Sequence, residues 1–256
     1  AQTKMLEHGL TQITDAGLSS KEIERLLAFE KQGLLKLRIN AMVSGNDDDI
    51  GWLLENGPIT TDRLTVQSVK FYMDGALGSR GAMLIDPYSD LKGWRGLSML
   101  DRDWFQNQLE QLHASGMQAA THCIGDSAVR LVLNAYAEVL DGPNDRRWRI
   151  EHAQVVAKDD MNQFGAYHII PSIQPTHATS DMYWAGERLG RNRIRRAYAY
   201  QELLSQNGMV ALGTDFPVED IDPRKTMFAA TARRDAAGYP DEGFQMKNAL
   251  TPDQTL

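Results

Sequence analysis

Four residues that can bind a metal ion or transfer a proton follow apolar segments at regular intervals. They are Lys70 in SVKFYMDG, His122 in THCIGD, His152 in RIEHAQ and Asp215 in GTDFP. His122 and His152 are separated by about one βα unit of ~31 residues, and Asp215 follows about two units later. Lys70 precedes His122 by one unit plus an insertion over residues 75–98. The spacing predicts that the four residues follow strands 4, 5, 6 and 8 of an eight-strand count.

The segments around these residues alternate between strand-like and helix-like patterns. Apolar runs predict strands at residues 10–17, 34–45, 64–75, 117–126, 147–154, 169–176 and 209–218. Capping residues and helical spacing predict helices at residues 19–33, 47–57, 101–116, 127–140, 157–168, 193–208 and 222–234. This alternation indicates an α/β fold with a parallel sheet, and its length fits a (β/α)8 TIM barrel that lacks its first strand. A doubly wound sheet is the alternative, although DAGLSS is a poor match to its Gly-rich turn.

Strand periodicity predicts that the polar side chains face the barrel axis. Val69 and Phe71 flank Lys70, and would face the surrounding helices while Lys70 faces inward. The same alternation applies around His122. Polar groups buried together are costly without partners, and a divalent metal ion would satisfy them.

Each of these residues also has a purely structural interpretation. Lys70 could form a salt bridge with Asp74 at the barrel mouth. His122 and His152 could be hydrogen-bonded core histidines, and Asp215 could cap the helix that follows it. The order and spacing of all four favour a shared metal site over four separate structural roles.

The motifs together resemble the amidohydrolase superfamily, and within it amidohydrolase family 3, the group that includes N-substituted formamide deformylases. The resemblance rests on KFYMDGALGSRGA, THCIGD, RIEHAQ, QPTHATSDMYW and GTDFPVE, which occur in the family's order along nearly the whole chain. The family pattern has His-x-His on strand 1, a carboxylated lysine on strand 4, histidines on strands 5 and 6, and an aspartate on strand 8. The set of motifs in this order is a strong signal, whereas any one of them alone would be weak.

The resemblance implies a metal-dependent hydrolase that cleaves carbon–nitrogen bonds through a metal-activated water. It makes Lys70, His122, His152 and Asp215 the metal ligands, with a carbamate on Lys70 and one or two divalent ions, of which Zn²⁺ suits these donors. Asp215 and Lys70 are then the catalytic residues, because Asp215 would accept and return the proton. The expected substrate is a small amide, an N-formyl compound or a cyclic amide.

Further residues in the same motifs are expected to line a substrate pocket. Arg80 and His177 lie in loops after strands 4 and 7, where they could hold a substrate carboxylate or an oxyanion. For His177 and for Arg80, packing within the loop is an equally good interpretation. Asp181, Tyr72 and Trp184 could form the walls. Glu151, in contrast, is expected to pair behind the barrel.

The chain departs from the family pattern in one respect, because it contains no His-x-His. We therefore expect residues 1–256 to form a partial TIM-barrel domain with strands 2–8, with strand 1 and a terminal β-sandwich domain outside the sequence. The strands at residues 10–15 and 209–214 should then flank a gap. Either further segments or association into a homo-oligomer would cover those edges.

Composition narrows the class of partner. The 256 residues carry a net charge of −7, which argues against nucleic acid as a partner, and no apolar run is long enough to span a membrane. The single cysteine, Cys123, excludes an intrachain disulfide. These features lead us to expect a cytoplasmic protein that acts on a small molecule.

Two other classes of function remain open from the sequence. A metal-free barrel that serves as a binding or scaffold protein would share the fold but lack an upstream His-x-His. An NAD-dependent dehydrogenase on a doubly wound sheet would need a glycine fingerprint that the chain does not show.

Overall fold

A computed structural model describes all residues 1–256 and contains one curled sheet of parallel strands. The strands are β1 (Gln12–Leu18), β2 (Arg38–Ser44), β3 (Ile59–Thr60), β4 (Leu64–Tyr72), β5 (Gln118–Cys123), β6 (Arg149–His152), β7 (Ile170–Ile173) and β8 (Ala211–Leu212). The spatial order is β1-β2-β4-β5-β6-β7-β8, with every neighbouring pair parallel. The two-residue β3 is added antiparallel to β4. Seven parallel strands in chain order form a half-barrel, which confirms the predicted fold class.

Helices connect successive strands and cover the outer face of the sheet. They are α1 (Gln2–Glu7), α2 (Ser20–Lys31), α3 (Asp47–Asn56), α4 (Arg102–Ala114), α5 (Asp126–Leu140), α6 (Gln163–Ala166), α7 (Pro175–Asp181), α8 (Ala185–Arg193), α9 (Tyr200–Asn207) and α10 (Pro223–Ala232). Short 3₁₀ turns occupy Lys158–Asp160, Ile194–Arg196, Met246–Asn248 and Pro252–Thr255.

Local sequence signals set the beginnings of the main helices. Ser19 accepts a hydrogen bond from the Glu22 amide while Glu22 binds back to the Ser19 amide, which forms a capping box at the start of α2. Asp101 and Asp222 accept from the first-turn amides of α4 and α10 in the same manner. These caps satisfy backbone donors that a helix cannot satisfy by itself, so α2, α4 and α10 begin where the sequence predicts.

The sheet separates an apolar outer face from a polar inner face. Val69, Phe71 and Cys123 belong to the hydrophobic core between the strands and the helices. On the inner face, the Arg149 guanidinium extends from β6 to the Met42 sulfur on β2, at 3.6 Å. The alternation predicted for β4 and β5 is therefore present, and the polar residues of alternate positions collect inside the curve of the sheet.

The sheet does not close into a barrel. β1 pairs only with β2, and β8 pairs only with β7 over two residues, so these strands form the two edges. Helix α1 lies beside the gap, where the Lys4 ammonium is 5.8 Å from the centre of the Phe216 ring. The edge strands are those expected from the sequence.

Four segments differ from the sequence-based expectation. The segment 157–168 forms only a 3₁₀ turn and the four-residue α6, and the helix expected at 193–208 begins only at Tyr200. The loop after β7 contains two unpredicted helices, α7 and α8, the second with a kink at Gly190, where φ is +74°. The strand expected at 209–218 is regular only at Ala211–Leu212, and it pairs with β7 alone. No helix in the structure is both long and apolar enough to cross a membrane.

Gly125, the residue before α5, allows the loop that contains Met83 to approach closely. A Cβ atom added at Gly125 would overlap the carbonyl oxygen of Met83, whereas one added at Gly51 in α3 would meet nothing within 4 Å. We predict that Gly125→Ala lowers the free energy of unfolding by about 1–3 kcal/mol through overpacking. Gly51→Ala, the matched control, should raise it by about 0.5–1 kcal/mol because alanine favours a helix. Urea unfolding of both variants at full natural length measures the difference, and equal effects would contradict the close-contact interpretation.

Candidate metal and active site

The polar residues predicted from the sequence meet at the carboxyl-terminal edge of the sheet. The β4–β5 register places Tyr72 opposite His122, and the β5–β6 register places Cys123 opposite His152. The imidazole rings of His122 and His152 are neighbours, with centroids 4.6 Å apart. Parallel pairing thus brings together residues that lie far apart in the chain.

His152 leaves β6 in a left-handed conformation. Its φ is +74° and that of Ala153 is +42°, which non-glycine residues rarely adopt. Regular alternation would point His152 away from the inner face that Arg149 and Glu151 share, and the left-handed backbone turns its ring back toward the cavity. Asp215, with φ of +55°, also has a left-handed backbone. Such strain at non-glycine residues is typical of functional sites.

A hydrogen bond fixes which nitrogen of His152 is free. His152 Nδ1 lies 2.7 Å from Gln174 Oε1, and Gln174 Nε2 donates to the Ser172 carbonyl at 3.2 Å. Because the Gln174 oxygen can only accept, Nδ1 carries the proton and Nε2 keeps its lone pair. Burial holds the pKa of His152 well below its usual value, so the imidazole is neutral. A neutral imidazole with one oriented lone pair is a metal ligand.

His152, His177 and Asp215 form a group that could hold a metal ion. One ligand atom from each lies within 4.8 Å of the others, and His177 Nε2 is 3.6 Å from Asp215 Oδ2. His177 is contributed by α7, and its Nε2 is buried without a hydrogen-bond partner. Partial burial raises the pKa of Asp215, while His177 and Lys70 oppose that rise. Two histidines and a carboxylate fit a divalent ion such as Zn²⁺, and the ion would satisfy the orphaned nitrogen.

His122 contacts a second carboxylate on the side away from this group. Its Nε2 is 3.5 Å from Asp74 Oδ1 and makes no hydrogen bond. Burial, followed by the positive charge of Lys70, lowers the pKa of His122 to about 3. Asp74 is fully buried and accepts hydrogen bonds from the amides of Met83, Ile124 and Gly125. Burial nevertheless raises the pKa of Asp74 to about 7.

Lys70 is buried on the inner face without an ion-pair partner. Its ammonium lies 4.1 Å from the centre of the Tyr72 ring, and the alternative salt bridge to Asp74 is not formed. Burial lowers the pKa of Lys70, with Glu151 acting in the opposite direction. The amine is therefore easier to deprotonate than that of a surface lysine.

These residues open onto a cavity of about 510 Å³. The predicted residues in its walls are Lys70, Tyr72, His122, His152, His177, Asp181, Trp184 and Asp215. Arg80 is not among them, because its guanidinium binds both oxygens of Asp90 at 3.1 and 2.8 Å. The structure therefore brings together every predicted site residue except Arg80, which is not placed to hold a substrate carboxylate.

Glu151 faces the cavity rather than the back of the barrel, so that expectation is wrong. Arg149 and Glu151 occupy alternate positions of β6 on the inner face, and Arg149 Nε donates to Glu151 Oε1 at 2.7 Å. Regular alternation from Arg149 predicts this orientation. In a regular strand, an inward-facing His152 would place Glu151 on the outer face. The left-handed backbone of His152 allows both residues to face inward.

Three further cavity residues were missed. Gln154 Nε2 donates to Asp181 Oδ2 at 2.9 Å, Gln174 orients His152, and Glu219 accepts from Ser180 Oγ at 2.7 Å. Gln174 directly follows β7 and Gln154 lies two residues after β6, so the rule that located the histidines could have found them. Burial raises the pKa of Asp181, while hydrogen bonds from Tyr198 and Gln154 oppose the rise.

Comparison with known proteins identifies the family. A model of the amidohydrolase family matches residues 1–256. The chain belongs to this amidohydrolase family. The predicted family is therefore confirmed, and the site described above is that of an amidohydrolase chain.

Relatives of this amidohydrolase chain are longer proteins. It is 37% identical over 204 residues to Protein LONG AFTER FAR-RED 3 of Arabidopsis thaliana, covering 77% of the chain and 35% of that protein. It is 23% identical over 266 residues to N-substituted formamide deformylase of Arthrobacter pascens. That match covers 97% of this chain and 46% of the deformylase. A crystal structure of an uncharacterized metal-dependent hydrolase from Pyrococcus furiosus has a TM-score of 0.86 at 28% identity, covering 99% of this chain and 51% of that one. The amidohydrolase chain thus spans between about a third and about a half of these relatives.

The His152–Gln174 bond can be tested through metal affinity. We predict that Gln174→Leu weakens Zn²⁺ binding about 10- to 100-fold, because His152 loses the partner that fixes its tautomer. Gln206→Leu serves as the control, since Gln206 is exposed on α9 and its side chain makes no hydrogen bond. Competition with a chromophoric chelator measures both variants at full natural length. Unchanged affinity in Gln174→Leu would show that the Gln174 bond does not orient His152 for metal binding.

Proposed function

We propose that the protein hydrolyses the carbon–nitrogen bond of a small amide with the help of a bound divalent ion. The observation that carries this proposal is the group of His152, His177 and Asp215, whose ligand atoms lie within 4.8 Å of one another on the wall of a cavity. A divalent ion held there supplies Lewis-acid polarisation of the amide carbonyl and of water. The cavity volume of about 510 Å³ suits a small molecule.

The protein's own groups account for the proton transfers. Hydrolysis adds water to the carbonyl carbon, forms a C–O bond and breaks the C–N bond, and the leaving nitrogen takes a proton. We assign these transfers to Asp215, which lines the cavity and whose Oδ2 lies 3.6 Å from His177 Nε2. It would accept the proton of the attacking water and deliver it to the nitrogen.

His122 and Lys70 complete the proposed ligand set. His122 packs against His152 and its Nε2 faces Asp74, a carboxylate–histidine contact of the kind that orients metal ligands. Lys70 is buried, faces the cavity and forms no ion pair, so its amine is available for carboxylation by carbon dioxide. A carbamate there would place a negative charge beside the histidines.

The relatives support the same class of reaction. The Pyrococcus protein is described as a metal-dependent hydrolase, and the Arthrobacter relative as an N-substituted formamide deformylase. We extend to this protein the hydrolysis of an amide, an N-formyl compound or a cyclic amide. Zn²⁺ is the proposed ion because the donors are imidazole and carboxylate.

Metal analysis and a substrate screen test the proposal. The protein at full natural length, purified after growth with Zn²⁺ and bicarbonate, should contain one or two divalent ions per chain. N-formyl amines, N-acetyl amines and cyclic amides should then be screened for release of formate, acetate or a ring-opened acid. A metal-free protein that hydrolyses none of them would favour the binding-barrel alternative.

Asp215 can be tested directly. We predict that Asp215→Asn lowers kcat by about 10²- to 10⁴-fold, since an amide cannot accept the proton. Asp62→Asn is the control, because Asp62 is exposed and its side chain makes no hydrogen bond. Steady-state kinetics on the best substrate of the screen, with metal content measured in parallel, separates loss of chemistry from loss of metal. Activity close to that of the unmodified protein in Asp215→Asn would remove Asp215 from the mechanism.

A further inference from the structure

The cavity beside the metal group carries an excess of carboxylates. Its walls contain Glu151, Asp181, Asp215 and Glu219, while Lys70 is the only lysine or arginine among the lining residues. Glu151 is neutralised by Arg149, and Asp215 belongs to the candidate metal group. Asp181 and Glu219 therefore remain as carboxylates without a cationic partner.

Asp181 is held rigidly with one oxygen free. Its Oδ2 accepts hydrogen bonds from Tyr198 OH at 2.8 Å and from Gln154 Nε2 at 2.9 Å, while its Oδ1 accepts none within the chain. Gln154 also donates to the Tyr198 oxygen at 2.7 Å, so the three side chains form a closed network. The two donors oppose the rise in pKa that burial causes at Asp181, and the second oxygen of this cavity-lining residue keeps its lone pairs for a ligand.

Glu219 lies beside Asp181 because of its own hydrogen bond. Glu219 Oε1 accepts from the hydroxyl of Ser180, the residue that precedes Asp181, and Oε2 makes no hydrogen bond. Two unpaired carboxylate oxygens thus belong to the same part of the cavity wall. In a site partly shielded from water, such a pair attracts a cation and repels an anion.

An aromatic wall adjoins these carboxylates. The Trp184 amide donates to the Asp181 carbonyl, and Gly78 packs so closely on the indole that an added Cβ would lie 3.2 Å from Cη2. Arg188 sits 5.7 Å from the ring centre, but it binds the Gly78 carbonyl and Asp90 and does not line the cavity. Trp184 and the two carboxylates line the same cavity, and an indole and carboxylates in one cavity suit an alkylammonium group.

We infer that Asp181 and Glu219 select substrates whose amide carries an alkylammonium group, and that Trp184 packs against its alkyl chain. This inference rests on the proposed function and names the substrate class for the same cavity. It replaces the expectation of a substrate carboxylate held by Arg80, whose guanidinium is bound to Asp90. Asp181 and Glu219 are thus assigned to specificity rather than to bond cleavage.

Three formamides with the same tether test the charge preference. They are the mono-N-formyl derivatives of butane-1,4-diamine, pentylamine and 5-aminopentanoic acid, which end in an ammonium, a methyl group and a carboxylate. With the Zn²⁺-loaded protein at full natural length, we expect kcat/KM to fall about tenfold at each step in that order. Raising the ionic strength should narrow the differences, because salt screens charges at a partly open site.

The variants Asp181→Asn and Glu219→Gln keep the shape of each side chain. Their amide oxygens can still accept from Tyr198, Gln154 and Ser180, so the fold should persist. Each should reduce the preference for the ammonium compound by about tenfold, with most of the change in KM for that compound and little change for the methyl compound. Glu187→Gln is the control, since Glu187 is 72% exposed outside the cavity and should leave the preference unchanged.

The outcomes separate this inference from the proposed function. Hydrolysis of all three compounds at similar rates, or a preference for the carboxylate compound, would overturn the charge selection and leave the hydrolase proposal intact. If none is hydrolysed, calorimetric binding of the three compounds decides: tighter binding of the ammonium compound, lost in Asp181→Asn, supports the inference while the formamide reaction fails. Equal binding would overturn it.

Discussion

The candidate site depends on the left-handed backbone of His152, where β6 ends. A strand that continued regularly would turn this ring toward the helix layer, because Arg149 and Glu151 already occupy the inner face. Holding a non-glycine residue at positive φ costs about 1–3 kcal/mol. Burial of the ring, its bond to Gln174 and its packing against His122 offset that cost. The strained residue is thus maintained by the same contacts that orient it toward a metal.

Near this turn, hydrogen-bond donors of the protein surround the buried carboxylates. Asp74 is almost fully buried yet accepts three backbone hydrogen bonds, and Glu151 is paired with Arg149 inside the sheet. Isolated buried charges would be strongly destabilising, so these partners are a condition for placing a polar site inside a barrel. Among the residues that line the cavity, the Lys70 amine forms no ion pair and His177 Nε2 forms no hydrogen bond. The cation proposed for this site would engage His177 together with a carboxylated Lys70.

The parts predicted from the sequence are those governed by local rules and by parallel topology. Lys70 and His122 followed from strand alternation, and the strand order followed from the alternation of strands with helices. The sequence does not show the left-handed backbone at His152. If His152 is assigned to the inner face of a regular strand, its neighbour Glu151 is assigned to the outer face, and that assignment is wrong. The helices α7 and α8 were missed because Gln174 and Trp184 precede them without a side-chain cap. Their placement of His177 and Asp181 at the cavity depends on tertiary contacts with the Gln154 and Tyr198 side chains, which no local pattern encodes.

The histidines on the central strands, His122 and His152, are held more rigidly than Asp215 at the edge of the sheet. His122 and His152 are anchored in central strands that pair on both sides, whereas Asp215 follows β8, which pairs on one side over two residues. The exposure of Asp215, at 37%, reflects its position next to the open edge of the sheet. The sheet therefore preorganises His122 and His152, while the position of Asp215 depends on its contact with His177 of α7. Because α7 also carries Asp181, and Ser180 binds Glu219, the same helix links the proposed proton-transfer group to the residues proposed to select the substrate. The Ser180–Glu219 hydrogen bond, at 2.7 Å, already joins α7 to the loop after β8 without a substrate.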